Sequence, residues 1–223
     1  MKNLKRILPL LMVILFAGSL IAADPSAIVI KAKGDITIKN AKTGKSLKAK
    51  RGTRLTDGDK ITTGKKGRMA LKFIDDNSLV RVRPNSTLTI NTKKEKSSVT
   101  KNIFVEVGSI FSRITKQKSS FRVTTPTSVA SVKGTAFWTL QKFKGGTTYF
   151  GEEGVVELTN DAGSALLKAG ETGSVTSKNS KPVVRKTKAG EKPSDGDDDV
   201  PDDFEFEFED ESGNKKVLKF KAK

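Results

Sequence analysis

Cysteine and histidine are both missing from this 223-residue chain. Without cysteine there is no disulfide framework, no thiolate nucleophile and no thiolate metal ligand. Without histidine the usual general base, the commonest metal ligand and the side chain that titrates near neutrality are gone together. A serine hydrolase of the histidine type is therefore excluded. The chain also has no Gly-x-Ser-x-Gly elbow, and no Ser-x-x-Lys falls on a predicted helix. Trp138 and Tyr149 are the only aromatic residues besides phenylalanine. Beyond Ile21 no apolar run is long enough to span a membrane.

The one long apolar run is Ile7–Ile21, preceded by Lys2, Lys5 and Arg6 and followed by the small pair Ala22-Ala23. That layout predicts a secretory signal peptide over residues 1–23, cleaved near Ala23. An exported chain of this kind, with no lipoprotein cysteine, is expected in the periplasm or cell envelope, or secreted. The formal charge of +17 is unevenly spread. Asp24–Gly190 holds 33 Lys/Arg against 13 Asp/Glu, whereas Glu191–Glu211 holds 12 acidic residues against Lys192 alone. A strongly basic body is thus followed by an acidic segment.

From Ala27 onward the apolar pattern has period two, and almost nothing reads as helix. Ala27–Lys33 and Asp35–Lys39 alternate around Gly34, and Asp57-Gly58 sits between Leu55 and Ile61 as a turn signal. Met69–Ile74 and Leu79–Val82 flank Asp75-Asp76-Asn77-Ser78 as a hairpin-like unit. Ile103–Val107 and Ser109–Ile114 surround Gly108, and Phe121–Thr125 stops at Pro126. Two β-type runs, Thr127–Val132 and Thr135–Leu140, are separated by Lys133-Gly134, which suggests a tight turn, a bulge or a close backbone approach. Thr147–Phe150, Val155–Leu158 and Ala165–Leu167 follow. The expected fold class is all-β, with many short strands and tight turns in a sandwich- or solenoid-like arrangement. Leu-x-x-Gly-[Asp/Glu] recurs weakly at Leu55–Asp59 and Leu167–Glu171, but no fixed period runs through the chain.

Taken in order, these blocks resemble a known family. Gly34-Asp35-Ile36, Gly58-Asp59-Lys60-Ile61-Thr62-Thr63-Gly64, Leu71-Lys72-Phe73-Ile74-Asp75-Asp76-Asn77-Ser78 and Val107-Gly108-Ser109-Ile110 are the first four. Phe121-Arg122-Val123-Thr124-Thr125-Pro126, Val132-Lys133-Gly134-Thr135-Ala136-Phe137, Gly151-Glu152-Glu153-Gly154-Val155-Val156 and Lys168-Ala169-Gly170-Glu171 complete the series. Together they closely resemble a FecR-type domain over most of Ala27–Val175. Asn77 stands where the family usually has Gly, and Lys133 where it usually has Arg. Asn tolerates the left-handed conformation and Lys keeps the charge. The resemblance implies a β domain outside the membrane. In the best-known members it is tethered to a cytoplasmic segment that regulates an iron-responsive sigma factor. Only Met1–Arg6 precedes the apolar run here, so that role is not expected to transfer. Gly134-Thr135-Ala136-Phe137 is read as a fold marker and not a site.

The expected organisation is a signal peptide at 1–23, a FecR-like β domain at 24–176, a polar and acidic linker at 177–203 and an amphipathic C-terminal hairpin at 204–223. In the last segment Phe204, Phe206 and Phe208 alternate with Glu205, Glu207 and Glu209. Leu218, Phe220 and Ala222 alternate with Lys219, Lys221 and Lys223 beyond Ser212-Gly213-Asn214. A lone hairpin is marginal in water, so it is expected to dock on its own domain, pair with a partner or order on binding. Asp195, Asp197 and Asp199 have the 1-3-5 spacing of a calcium loop, but Val200 and Phe206 replace the glycine and the closing glutamate. That run reads as an acidic linker. Asp75-Asp76 and Glu152-Glu153 read as solvated turn residues.

No catalytic, cofactor-binding or metal-binding residue emerges, and no cofactor is expected. The lysines are scattered along the strands without a nucleic-acid motif, so nucleic acid is not the expected partner. An envelope protein or an anionic envelope polymer is, a peripheral membrane contact is compatible with the charge, and lysines guarding sheet edges explain it as well. The function read from the sequence is a non-enzymatic, exported, envelope-associated binding or scaffold module. The alternatives are a periplasmic component of a metal- or stress-responsive signalling system and, far behind, an envelope hydrolase.

Overall fold

The computed structural model describes residues 25–94, 99–115 and 120–193, and two further strands at 204–209 and 215–220. The signal-peptide segment 1–23 and the run Asp195–Asp203 lie outside the described residues. In chain order the strands begin with β1 (Ala27–Lys33), β2 (Ile36–Lys39), β3 (Ser46–Lys48), β4 (Arg54–Leu55), β5 (Lys60–Thr63) and β6 (Arg68–Phe73). Next come β7 (Leu79–Val82), β8 (Thr87–Lys94), β9 (Val99–Arg113), β10 (Phe121–Thr124), β11 (Val129–Val132) and β12 (Ala136–Gln141). The remainder are β13 (Thr147–Glu153), β14 (Val155–Asn160), β15 (Gly163–Lys168), β16 (Glu171–Val175), β17 (Val183–Lys186), β18 (Phe204–Glu209) and β19 (Lys215–Phe220). The described residues contain no helix, so the all-β expectation holds.

Strands β1–β17 are hydrogen-bonded into one sheet that folds over into two facing layers. Layer one runs β4-β1-β6-β7-β9-β12-β13-β16-β17 and is antiparallel throughout. Layer two runs β3-β2-β5-β8-β9-β10-β11-β14-β15, with a single parallel pair at β9–β10. In each layer the strands follow chain order almost without exception. The chain therefore passes back and forth between layers while advancing along one axis: a sandwich in section, a winding in connectivity. The core lies between the layers, where Phe73, Leu71 and Val80 of layer one meet Ile38, Ile61, Leu88 and Phe121 of layer two. Phe73 and Phe121 meet edge to face, with ring centroids 5.6 Å apart.

The structure changes the meaning of several turn signals. Met69–Val82 is the hairpin the pattern predicts, with Met69 opposite Val82 and Lys72 opposite Leu79. Gly34, Asp57-Gly58 and Lys133-Gly134 do not close hairpins. They carry the chain from one layer to the other, so β11 and β12 lie in different layers. Gly108 does not break a strand either. The 15-residue β9 runs through it, pairing in layer two up to Val107 and in layer one from Gly108 onward. A Cβ at Gly108 (φ 105°) would lie 2.3 to 2.5 Å from Ser86. That approach lets the Ser109 N–H donate to Ser86 Oγ at 3.0 Å and fixes the crossing.

The weak repeat is a recurring turn. In Thr56–Asp59, Lys168–Glu171 and Lys188–Glu191 the acid accepts a hydrogen bond from the N–H three residues earlier, at 2.8, 2.8 and 3.2 Å. Thr53 caps Lys50 in the same way at 3.1 Å. Each turn has a glycine with φ between 73° and 86° just before the capping residue, as a type II turn requires. Val183–Lys186, which the sequence assigns to the linker, is strand β17 on the edge of layer one. Its adjacent valines supply the β preference that the flanking polar residues mask.

Candidate interaction face

The two layers differ in how their outer faces are treated. Layer two alternates as a sheet with one wet face should: β2 is buried-exposed-buried-exposed, and β10, β11 and β14 follow suit. The central strands of layer one are closed on both sides. β6 is buried from Met69 to Phe73, and β12 is buried at Ala136, Phe137, Trp138 and Thr139. Near-continuous apolar runs such as Ala136-Phe137-Trp138 mark strands with two covered faces.

Register shows what occupies that outer face. Directly paired residues share a side, and one row runs Lys31, Ala70, Arg81, Phe111, Trp138, Phe150, Thr172, Arg185 across eight strands. The adjacent row carries Ile28, Lys72, Leu79, Arg113 and Ala136. Phe111, Ala136, Trp138 and Phe150 form a second apolar cluster, separate from the main core, with Leu140 packed against it. Phe111 and Trp138 pack at 5.2 Å between centroids, tilted by 49°. Three guanidinium groups stack on this pair. Arg81 and Arg113 lie 5.6 and 5.7 Å from the Phe111 centroid, and Arg83 lies 5.9 Å from that of Trp138. Arginine planes on aromatic faces combine cation–π attraction with retained hydrogen-bonding capacity at their edges. Trp138 is 2% exposed and Phe111 5%.

Two polar constellations sit elsewhere, inside the sandwich. The first joins the β6–β7 turn to β9. The Lys101 side chain is wholly buried, with its ammonium 2.7 Å from Asp75 Oδ2 and 2.5 Å from Asp76 Oδ2. The same ammonium lies 5.3 Å from the Phe73 ring centre. Ser78 donates to Asp76 through both its N–H and its hydroxyl at 2.9 Å. The Thr115 N–H in turn donates to Ser78 Oγ at 3.2 Å. Partial burial pushes the Asp75 carboxyl above the usual range, opposed by its hydrogen bond from Lys101. The sequence places Asp75-Asp76 in a solvated turn. The turn is present and Asp75 is exposed as expected, but both carboxylates also bind the buried Lys101, 25 residues beyond Asp76, and tie this turn to β9.

The second constellation is a chain of hydroxyls linking the layers. Thr147 Oγ1 lies 2.8 Å from Thr125 Oγ1 and 2.6 Å from Thr127 Oγ1, and donates to Gln141 Oε1 at 2.5 Å. Ser128 Oγ meets the Tyr149 hydroxyl at 2.9 Å. Burial pushes the Tyr149 phenol above its ordinary value, so it stays protonated. Gln141 spends its amide on the Lys142 and Gly145 carbonyls at 2.7 and 2.8 Å. Every partner is internal, so the network serves packing. In the Gly134–Phe137 block, Phe137 lies in the main core and Ala136 under the outer cluster. Glu152 binds Lys192 at 2.9 Å. Among the described residues no group of three or more His, Cys, Asp or Glu could hold a metal ion.

The fold and this face together define a two-layer β module with an arginine–aromatic surface on one side. Residues 59–157 match the family model described as FecR protein. Two crystal structures, at 2.50 and 1.65 Å, of a candidate anti-sigma factor from Parabacteroides distasonis ATCC 8503 are similar in fold. Each is 17% identical in sequence, with a TM-score of 0.49, and the match covers 58% of this chain and 60% of that one. The chain thus spans about three-fifths of that protein's length. No curated protein matches the chain.

Proposed function

We propose that this protein is a non-enzymatic, exported FecR-domain module of the cell envelope that works by binding, with the outer face of layer one as its recognition surface. The observation that supports this reading is the row Arg81–Phe111–Trp138–Phe150, roofed by Arg83 and Arg113. Arginine and tryptophan are the residue types that dominate binding energy when clustered at the centre of an interface. Lys31, Lys72 and Arg185 surround the cluster, so the fitting partner is an acidic strand or loop with large apolar side chains. The signal-peptide pattern at 1–23 supports export.

The test places a photo-crosslinking amino acid at Thr148, which pairs with Leu140 on this side of layer one, in living cells. The control carries it at the exposed Thr37 on the other layer. Both the intact chain and a Phe204/Phe206/Phe208→Ser chain are used. A discrete intermolecular adduct from position 148, lost on Arg81→Glu/Arg83→Glu, is the expected result. No adduct from either chain, or equal adducts from positions 148 and 37, overturns the reading.

The family match favours a second reading, in which the module serves a cell-surface signalling system that responds to metal or envelope stress. Deleting the gene and measuring transcripts of uptake and stress regulons tests it. An unchanged transcriptome under metal limitation and envelope stress rejects it.

A further inference from the structure

We infer that the C-terminal strand pair β18–β19 packs in cis on the outer face of layer one, so that the chain's own acidic, phenylalanine-bearing strand occupies the surface a partner would use. The inference rests on the recognition surface proposed above and names its resident occupant.

Burial is the first argument. Residues on an outer sheet face normally stand about half in water. Here Ile28, Ala70, Lys72, Leu79, Phe111, Ala136, Trp138 and Phe150 are each at most 7% exposed. Layer two covers only their opposite side. Its own outward residues, such as Thr37, Lys39, Thr62 and Arg122, are exposed.

Pattern supplies the second. β18 pairs with β19 so that Phe204 faces Phe220, Phe206 faces Leu218, and Glu205 faces Lys219. Phe204, Phe206, Phe208, Leu218 and Phe220 therefore fall on one side of the ribbon, with Lys216 opposite Phe208, and Val217 falls on the other side with Glu207. The side of β18 that bears Phe204, Phe206 and Phe208 can therefore meet the Phe111, Trp138 and Phe150 cluster, while Glu205 and Glu209 fall on the other side of the ribbon, opposite Lys219 and Lys215. A six-residue ribbon is about 20 Å long, and the five strands from β6 to β13 that carry the row span about 19 Å.

The third is the route of the chain. β17 is the edge strand of layer one, and the turn Lys188–Glu191 follows it, held by the Arg185–Glu191 ion pair. Lys192 is then bonded to Glu152, two residues beyond Phe150 on β13. The linker 194–203 thus starts beside the aromatic cluster, and its extended reach of up to about 33 Å is ample. A tether of that length holds the ribbon at a millimolar effective concentration. A lone two-stranded ribbon is marginal in water, and this face gives it a third layer.

Trp138 is the chain's single tryptophan and sits at the centre of the face, so its fluorescence reads the contact directly. The full chain is compared with Phe204/Phe206/Phe208→Ser and with a chain ending at Asp203, each checked by circular dichroism for an intact body. The expected result is a red-shifted Trp138 emission and a severalfold rise in acrylamide quenching in both variants. Unchanged quenching in variants with an intact body overturns the inference. So does shielding that disappears on dilution of the full chain, which would assign the cover to a second copy. The two proposals fail separately. Exposure of Trp138 without any adduct from position 148 removes the recognition reading alone, and an adduct with Trp138 unmoved removes the cis arrangement alone.

Discussion

Replacing Lys101 by methionine removes one charge from the most enclosed ionic group in the fold while keeping most of the side-chain volume. The ammonium serves two carboxylates at 2.7 and 2.5 Å, and the Asp76 side chain is only 9% exposed. Its loss leaves Asp76 with the Ser78 donors and Asp75 with a carboxyl that burial already disfavours as an anion. Breaking a buried pair from one side costs about 3–5 kcal/mol, because an uncompensated charge stays inside. With a urea m-value of about 2–3 kcal/mol/M, the unfolding midpoint at pH 7 should fall by about 1–2.5 M. The pH dependence follows from the upward direction of the Asp75 shift. Without its cation, a buried carboxyl has a folded pKa above its unfolded value. It binds more protons folded than unfolded, so the variant regains stability as pH falls through the raised value towards the unfolded one. The gap between the two proteins should therefore narrow between pH 7 and pH 4. Adding Asp75→Asn and Asp76→Asn to the variant should recover much of the loss at pH 7, since no charge is then left unpaired. Urea titrations followed by circular dichroism at both pH values check all three statements. A midpoint shift below about 0.3 M at pH 7, or a gap that widens on acidification, would refute the account of Lys101 as the clamp of this end of the sandwich.

Three further substitutions probe other joints. Gly108→Ala drives a Cβ to within 2.5 Å of Ser86 at a φ of 105°, and should cost about 3 kcal/mol or more, read as a lower thermal midpoint. Asp59→Ala removes the acceptor of the Thr56 N–H at 2.8 Å, the Asn40 amide at 3.0 Å and the Ala41 N–H at 3.1 Å from a residue 1% exposed. A loss of about 2–4 kcal/mol in chemical denaturation is expected, and Asp59→Asn should recover part of it. Thr147→Val keeps shape but takes one hydroxyl partner from each of Thr125, Thr127 and Gln141, and should cost about 1–3 kcal/mol in the same assay.

Strand positions were legible because period-two alternation and Gly- or Asn-centred turns are local signals. Met69–Val82 reads directly as a hairpin, and so it is. The pairing of layers was not legible at Gly34, Asp57-Gly58 or Lys133-Gly134. A glycine with positive φ serves a hairpin and a layer crossing equally well, and only distant packing decides between them. Lys101 looks in sequence like any solvent-facing lysine. Its burial depends on the carboxylates of a turn 25 residues earlier. The outer face of layer one did leave a trace. Its strands Met69-Ala70-Leu71-Lys72-Phe73 and Ala136-Phe137-Trp138-Thr139-Leu140 are apolar in both phases, whereas Ile36-Thr37-Ile38-Lys39 and Phe121-Arg122-Val123-Thr124 of layer two alternate cleanly. That contrast distinguishes strands covered on two faces from strands covered on one.

The residues that carry the family resemblance and those that build the proposed surface barely overlap. The ordered blocks hold turns, caps and layer crossings together with core-facing strand residues such as Ile61, Phe73 and Phe121. Asp59 closes a type II turn, Gly108 passes Ser86, and Phe73-Ile74-Asp75-Asp76-Asn77-Ser78 closes on Lys101. Arg81, Arg83, Phe111, Trp138 and Phe150 all fall between blocks, on strands whose inward residues the fold demands and whose outward residues it does not. The blocks therefore bear on the winding of the chain, and the outward residues of layer one stand apart from them. If recognition resides there, two proteins can share every crossing and differ completely in partner. Exchanging Arg81, Arg83, Phe111, Trp138 and Phe150 between two FecR-domain proteins, with the blocks left intact, should then transfer partner choice without altering the fold.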